Sequence, residues 1–140
     1  MIRVFVDANI LLSVLNKEYP LFTYASRIMS LAGSKKFQLF TSPLCLAIAF
    51  YFSEKKYNSK IAKQKISLLC DHIRIANATS TSVKKALANE TIKDFEDGLE
   101  YYSAEENNCI CILTEDIHDF DFSKIEVINS ENFFLKYMKK

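Results

Sequence analysis

The first twelve residues constrain the fold of this chain more than any other stretch. The apolar run Val4-Phe5-Val6 is typical of a buried strand, and it ends on Asp7. Apolar residues then recur at helical spacing, at Ile10, Leu11, Val14 and Leu15. The pattern predicts a parallel strand that passes directly into a helix. Asp7 is then expected at the carboxyl edge of the sheet, either as a cap of the helix or as part of a ligand site.

Further strands and helices alternate along the chain. Short apolar runs predict strands at residues 37–41, 73–76, 109–113 and 126–128. Periodic segments predict helices at residues 9–16, from Pro20 to about 32, 44–56, 58–70, from 79 or 80 to about 87, 94–106 and 131–138. The third helix is apolar all round over its first two turns, which predicts burial. Alternation of this kind predicts an α/β fold with a mostly parallel sheet of four to five strands covered by helices, in one domain over residues 1–140.

The charge balance limits the kinds of partner. The 18 basic and 17 acidic residues give a net charge of +1, so a nucleic acid would have to meet a local basic patch. Residues 54–65 are the most charged stretch, and Lys55, Lys56 and Lys60 within it fit either a solvated helix turn or a rim that contacts phosphates. The four cysteines lack zinc-site spacing and predict free thiols in a reducing cytoplasm, and no apolar run approaches a membrane span.

Acidic residues follow the predicted strands and begin one predicted helix. The strand at 109–113 is followed by Thr114-Glu115-Asp116, and Asp94 and Asp97 share a face near a helix N-terminus. If Asp7, Asp97 and Asp116 converge, their mutual repulsion requires a divalent cation, and Mg²⁺ or Mn²⁺ prefers such oxygen ligands. A cation held there can lower the pKa of a bound water and stabilise the charge that develops on a phosphodiester. The chemistry therefore suits a phosphoryl-transfer hydrolase.

Four ordered motifs resemble those of the PIN domain family. The first is the apolar strand with Asp7-Ala8-Asn9, followed by Thr41-Ser42-Pro43-Leu44, by 97–104, and by the stretch from Cys111 to Phe120. The resemblance spans essentially the whole chain and implies a three-layer α/β/α fold. Small members of the family resemble VapC-like toxins, which are Mg²⁺- or Mn²⁺-dependent endoribonucleases, usually dimeric, and blocked by a small antitoxin.

The resemblance also implies roles for individual residues. Asp7, Asp97 and Asp116 are implied to be the metal-binding catalytic acids, with Asn9, Thr114, Asp94 and Asp119 in support. Asp119 lies close enough to Asp116 in sequence to substitute for it, so the identity of the fourth acid stays open. His118 is either an exposed turn residue or an additional ligand or base. The second acid of the family is missing, because its position is occupied by Ile48 and the next acid is Glu54.

Two functions follow as hypotheses. The first is a metal-dependent, single-strand-type endoribonuclease of the toxin–antitoxin kind, in which a metal-activated water hydrolyses RNA. Such an enzyme would be a homodimer with a small antitoxin partner. The second is a catalytically weak or inactive PIN domain that binds RNA or protein, which the loss of the acid at Ile48 favours. A receiver-like or small-ligand domain is disfavoured, because no lysine ends the 109–113 strand and the chain has no glycine-rich phosphate loop.

Overall fold

The computed structural model describes residues 1–18 and 22–138. Pro20, where the sequence predicts a helix to begin, and the terminal pair Lys139-Lys140 lie outside the described residues. None of the described helices is both long and apolar enough to cross a membrane.

A parallel sheet of five strands forms the centre of the molecule. Its strands are β1 (Ile2–Val6), β2 (Phe37–Thr41), β3 (Arg74–Ile75), β4 (Cys111–Leu113) and β5 (Glu126–Ile128), in the order β3-β2-β1-β4-β5. The predicted parallel sheet is therefore confirmed. The chain moves outward from β1 to β3 and then crosses back to β4 on the other side of β1. Such a reversal creates a crevice at the carboxyl ends of β1 and β4, where open α/β sheets bind ligands.

Helices cover the sheet and complete a three-layer α/β/α fold. They are α1 (Ala8–Leu15), α2 (Phe22–Met29), α3 (Pro43–Lys56), α4 (Ser59–Cys70), α5 (Ser80–Ala88), α6 (Phe95–Glu106) and α7 (Ser130–Phe133). A 3₁₀ turn over Ser30–Gly33 follows α2, and one π-type turn over Phe134–Met138 follows α7. Three of these helices begin after a capping residue, because Ser42, Asn58 and Thr79 each accept a hydrogen bond from a backbone N–H in the first turn of their helix.

The core lies on the central strands. Val4, Phe5 and Val6 of β1 are completely buried, and so are Ile112 and Leu113 of β4. Both strands are therefore covered on their two faces, as expected for a parallel sheet. Burying a side chain of this size stabilises the fold by about 1.5–3 kcal/mol, so the two strands that carry the candidate site are held rigidly.

The predicted strand at 109–113 is too long. It begins only at Cys111, because the end of α6 takes up the residues before it. Asn108 adopts a positive φ of 57°, and the N–H of Cys109 donates to the carbonyl of Ala104. This is a Schellman ending, which an asparagine in the left-handed conformation permits. Cys109 and Cys111 therefore do not share one face of a strand, although both are buried free thiols.

The prediction that the first two turns of α3 are buried is also wrong in part. Cys45, Ala49 and, further along, Ser53 are buried along one side of the helix, whereas Ala47 is exposed. After those two turns, Tyr51 and Phe52 expose 50% and 48% of their surface. The helix therefore presents an apolar and aromatic side that the fold does not cover.

Candidate functional site

Asp7 lies at the junction of β1 and α1, as the sequence predicts. Its Oδ1 atom accepts a hydrogen bond of 2.7 Å from the N–H of Ala8, so the carboxylate caps α1. Its Oδ2 atom accepts a second bond of 2.7 Å from the hydroxyl of Thr114, at the end of β4. Asp7 is 8% exposed and Thr114 is fully buried. Asp7 therefore caps α1 and also belongs to the candidate site, and two short hydrogen bonds hold its side chain in one rotamer.

Asn9 connects Thr114 to Asp116. Its Nδ2 donates to the hydroxyl of Thr114 at 3.1 Å and to Oδ2 of Asp116 at 3.0 Å. Its Oδ1 accepts from the N–H of Glu115, and the N–H of Asp116 donates to Thr114. The amide therefore orients the turn after β4 rather than Asp7 directly. Asp116 itself is exposed to solvent.

A buried acid that the sequence motifs do not single out lies beside Asp7. Glu100, on α6, is 3% exposed, and its Oε1 accepts a hydrogen bond of 3.1 Å from the thiol of Cys45 on α3. Donor atoms of Asp7, Cys45 and Glu100 all lie within 4.8 Å of one another. Among the residues that the structure describes, this is the tightest group of potential metal ligands, and Asp97 and Asp116 lie outside it.

The surroundings of Glu100 favour its neutral form. Burial raises its pKa well above the usual range, and a hydrogen bond with Asp7 and the negative charge of Asp7 add to the effect. The pKa of the Cys45 thiol is also raised, first by burial and then by the charges of Glu100 and Asp7. The protonated forms of Glu100 and Cys45 are therefore favoured while nothing else binds there.

Acidic side chains line a cleft of about 280 Å³ at the carboxyl ends of β1 and β4. We name it the acid cleft, and its acids are Asp7, Asp94, Glu96, Asp97, Glu100, Asp116 and Asp119. No lysine or arginine lines it among the described residues. The structure thus brings together all five aspartates that the sequence analysis names. Asp94 also caps α6, where its Oδ1 accepts from the N–H of Glu96.

The negative charge in the acid cleft changes the acidity of two of these groups. The pKa of Asp97 is raised to about 7, first by partial burial and then by Asp94, Asp119, Asp7 and Glu96. The pKa of the exposed Asp119 is also raised, first by the limited desolvation it undergoes and then by Asp116 and Asp7. Repulsion of this kind is relieved when a cation binds.

Ile48 faces the acid cleft from α3. It occupies the side of the cleft where the resemblance places the missing acid, and it contributes a partly buried apolar wall instead. Glu100 approaches from α6 and places a carboxyl beside Cys45, one turn before Ile48 on α3.

Two further clefts adjoin the acid cleft. One, of about 400 Å³, shares Asp94, Asp97 and Asp119 with it and contains His118, whose side chain is 90% exposed and lies 3.7 Å from the carboxylate of Asp121. The other, which we name the lysine groove, has a volume of about 490 Å³. It is lined by Leu12, Asn16, Glu18, Phe52, Lys55 and Lys56.

The lysines proposed to contact RNA differ in their surroundings. Lys56 donates a hydrogen bond of 2.6 Å to the carbonyl of Asn16, which satisfies the end of α1. Lys55 places its ammonium 4.4 Å from the centre of the Tyr51 ring. Lys60 is exposed near the start of α4 and lines neither the acid cleft nor the lysine groove.

The donor set of the acid cleft fits a hard divalent cation. Its carboxylates converge, and none of the lining side chains that the structure describes is a lysine or arginine that would neutralise them. Partial burial and then the neighbouring carboxylates raise the pKa of Asp97. Carboxylate oxygens with room for water are the ligands that Mg²⁺ and Mn²⁺ take. Cys45 is the one soft donor nearby, and it is protonated and buried behind Asp7.

Comparisons with known proteins agree with this architecture. The sequence model of the PIN domain family matches residues 3–118. Ribonuclease VapC1 of Aquifex aeolicus (strain VF5) is 27% identical over 135 residues, which cover 94% of this chain and 92% of that protein.

Solved structures with the same fold are less similar in sequence. VapBC2 from Rickettsia felis, crystallised with a DNA fragment from its promoter, has a TM-score of 0.71 at 18% identity, covering 91% of this chain and 98% of that one. VapC20 from Mycobacterium tuberculosis, a toxin that cleaves the sarcin-ricin loop, has a TM-score of 0.66 at 16% identity, covering 88% and 98%. VapBC-1 from nontypeable Haemophilus influenzae has a TM-score of 0.70 at 14% identity, covering 93% and 99%.

Proposed function

This chain belongs to the PIN domain family, and on that premise we propose that it is a metal-dependent endoribonuclease of the toxin–antitoxin kind. The observation that carries the proposal is the acid cleft, in which Asp7, Asp97 and Asp116 meet at the carboxyl ends of β1 and β4 without a basic neighbour. A ribonuclease is also the activity in the name of the relative from Aquifex aeolicus.

Asp7, Asp97 and Asp116 would hold Mg²⁺ or Mn²⁺. When bound, such an ion supplies an activated water and stabilises the charge of a phosphodiester during in-line attack. Asp94 and Asp119 add negative charge around the three acids and so raise the affinity of the cleft for a cation.

The remaining polar side chains position the acids. Thr114 fixes the Oδ2 atom of Asp7, and Asn9 fixes Asp116 relative to Thr114. This network keeps the carboxylates of β1 and β4 in a set geometry before anything binds. Pre-organised charge of this kind is the main source of catalysis in phosphoryl transfer.

Glu100 offers a replacement for the family acid that Ile48 lacks. Its carboxyl lies within 4.8 Å of a carboxylate oxygen of Asp7, and its surroundings favour the protonated form while the site holds no cation. A cation beside Asp7 would favour the charged form of Glu100, because a nearby positive charge lowers the pKa of a carboxyl group.

A small antitoxin and a second copy of the chain are the proposed protein partners, and RNA is the proposed substrate. The support for an antitoxin is that the structures from Rickettsia felis and Haemophilus influenzae with this fold are VapBC assemblies.

Residues 1–140 are proposed to form one domain, since β5 pairs with β4 and Phe133 of α7 is completely buried. Four free thiols suit the reducing cytoplasm that we propose as its location.

The second candidate function is a PIN domain that binds RNA or protein and cleaves slowly or not at all. The observation that favours it is Ile48, which lines the acid cleft at the side where the family has an acid. Fewer charged ligands bind a divalent cation more weakly.

One experiment separates the two candidates. Mn²⁺ binding is measured by calorimetry on the wild-type chain, on Asp7→Asn and on Asp71→Asn, and cleavage of a single-stranded RNA is followed in the same buffer. Asp71 is the matched control, because it follows α4 and precedes β3, at the opposite edge of the sheet from the acid cleft.

For the nuclease we expect metal-dependent cleavage by the wild type and by Asp71→Asn, with binding and cleavage lost in Asp7→Asn. Full cleavage by Asp7→Asn would show that the acid cleft is not the active site. Absence of both metal binding and cleavage in the folded wild-type chain would favour the binding module.

A further inference from the structure

We propose that single-stranded RNA leaves the acid cleft across Phe52, with one base stacked on its ring and the adjoining phosphate beside Lys55. This inference rests on the proposed ribonuclease function and assigns the path of the substrate on one side of the site. It assigns to Phe52 a role in binding the substrate, separate from the acids that hold the metal.

Phe52 lies between the acid cleft and the lysine groove. Its ring lines the acid cleft, where it stands beside Ile48, and it also lines the lysine groove. Leu12 is the other side chain common to both. The ring is 48% exposed although it is one of the larger apolar side chains of α3. A strand of RNA that extends from the acid cleft into the lysine groove must therefore pass over it.

Tyr51 and Lys55 restrict which ring is available for stacking. The Tyr51 and Phe52 rings meet edge to face, with their centres 5.2 Å apart and their planes at 79°. The ammonium of Lys55 lies over the Tyr51 ring, 4.4 Å from its centre. Tyr51 thus packs against Phe52 and holds Lys55 by a cation–π contact. Because Lys55 occupies the Tyr51 ring and Phe52 lines both the acid cleft and the lysine groove, we assign the stacking role to Phe52.

The distribution of charge indicates nucleic acid as the occupant. The acid cleft repels phosphates wherever a cation does not neutralise it, so the backbone needs a basic region directly beyond the cleft. Lys55 and Lys56 are that region, and Lys55 has the freer ammonium because Lys56 donates to the carbonyl of Asn16. An aromatic ring followed by a lysine is the usual arrangement for binding single strands without regard to sequence.

The same arrangement selects single strands over duplexes. A base can stack on Phe52 only when it is unpaired and turned out of a helix, because paired bases in an A-form duplex are covered by their neighbours. The proposed site therefore recognises RNA by an exposed base and a phosphate, with no requirement for a particular base.

The test measures binding without cleavage. The affinity of a fluorescent single-stranded RNA of twelve nucleotides is determined by anisotropy in EDTA for the wild-type chain and for Phe52→Leu, Phe52→Tyr, Lys55→Gln and Leu87→Ala. Leu87, on α5, is 70% exposed and lines neither the acid cleft nor the lysine groove, which makes it the control for loss of surface apolar area. Circular dichroism verifies that each variant is folded.

We expect Phe52→Leu to weaken binding by at least about fivefold, the low end of what one stacked base contributes. Phe52→Tyr keeps the ring and should retain affinity, as should Leu87→Ala. Lys55→Gln should make the dependence of log affinity on log salt less steep by about 0.7, the value for one phosphate contact on a single strand. A matching RNA duplex should bind more weakly than the single strand and be insensitive to Phe52→Leu.

Equal affinities of the wild type and Phe52→Leu, or no RNA binding by the wild type, would overturn the inference. It would also be overturned if Phe52→Leu changed the oligomeric state on size exclusion and left RNA affinity unchanged, because the ring would then serve contacts between copies. Cleavage is measured separately in Mn²⁺. A wild-type chain that binds RNA through Phe52 and does not cleave it would remove the ribonuclease activity and leave the stacking site in place.

Discussion

The thiol of Cys45 donates a hydrogen bond to the Oε1 atom of Glu100 across 3.1 Å, and both side chains are shielded from solvent behind Asp7. This contact joins α3 to α6 underneath the acid cleft. Burial raises the pKa of Glu100 well above the usual range, and a hydrogen bond with Asp7 and the negative charge of Asp7 add to this effect, whereas the hydrogen bond from Cys45 opposes it.

The first prediction concerns the pH dependence of stability. An unfolded glutamate titrates near pH ~4.3, and Glu100 releases its proton at a higher pH in the folded chain. Its stabilising contribution is therefore complete at acid pH and declines as the pH rises through the folded pKa. In EDTA, the free energy of unfolding of the wild type should fall relative to Glu100→Gln as the pH rises above ~4.3, by at most ~1.4 kcal/mol per pH unit, until the folded pKa is passed.

Urea denaturation at three pH values measures this difference. Glu105→Gln is the control on the same helix, because Glu105 is exposed and its ion pair with Lys85 at 3.9 Å contributes little. Parallel pH profiles for the wild type and Glu100→Gln would contradict the assignment of a neutral Glu100.

The second prediction is that protons compete with the metal for Asp97. Because the pKa of Asp97 is about 7, Mn²⁺ affinity should rise as the pH increases from 6 to 8 and then level off. The rise is at most about tenfold per pH unit for one proton released. Calorimetry in two buffers of different ionisation enthalpy counts the protons. Asp97→Asn should bind more weakly and release fewer protons, whereas Asp71→Asn should follow the wild type.

The third prediction restores the acid that the family has at position 48. Ile48 faces the acid cleft and is only partly buried, so a carboxylate there can reach both water and a cation. Ile48→Glu should raise Mn²⁺ affinity by about tenfold or more, since it adds a charged oxygen ligand. Ile48→Gln has the same shape without the charge and should not. Equal affinities of the two variants would show that position 48 does not reach the ion.

The fourth prediction concerns the hydroxyl of Thr114. This side chain is completely buried, donates to Asp7, and accepts from Asn9 and from the N–H of Asp116. Thr114→Val removes these three hydrogen bonds, although Asn9 still donates to Asp116, and should lower the free energy of unfolding by about 1–3 kcal/mol. Thr114→Ser keeps the hydroxyl and should lose less than half as much. A valine variant as stable as the wild type would show that water replaces the hydroxyl.

Much of the fold could be predicted because its signals are local. The strand that leads to Asp7 and the helices predicted at 44–56 and 58–70 each depend on signals from nearby residues, and all three are confirmed. The start of β4 could not be predicted, because an apolar run does not reveal that Asn108 adopts the left-handed conformation and ends α6. The uncovered side of α3 could not be predicted either. An apolar helix is predicted to be buried, and only the packing of the neighbouring elements shows which of its sides stays exposed.

Glu100 is the part of the candidate site that the sequence analysis missed. A usable signal exists, because Glu100 follows Asp97 by three residues and so shares its face of the helix. The acid missing at position 48 belongs to α3, and only tertiary structure places α6 beside it. Cys45 is a free thiol, as the sequence predicts, yet its contact with Glu100 depends on two helices that are distant in sequence.

The pairing of β1 with β4 has a consequence for synthesis of the protein. Thr114 and Asp7 are bonded to each other although 107 positions separate them in the chain. During translation, Asp7 leaves the ribosome long before Thr114 and Asp116 exist, and β1 lacks one of its two neighbouring strands until then. A nascent chain therefore has no assembled site. On the function proposed above, the cell that makes this enzyme is exposed to its activity only after Thr114 and Asp116 have left the ribosome, when a partner can bind the completed surface.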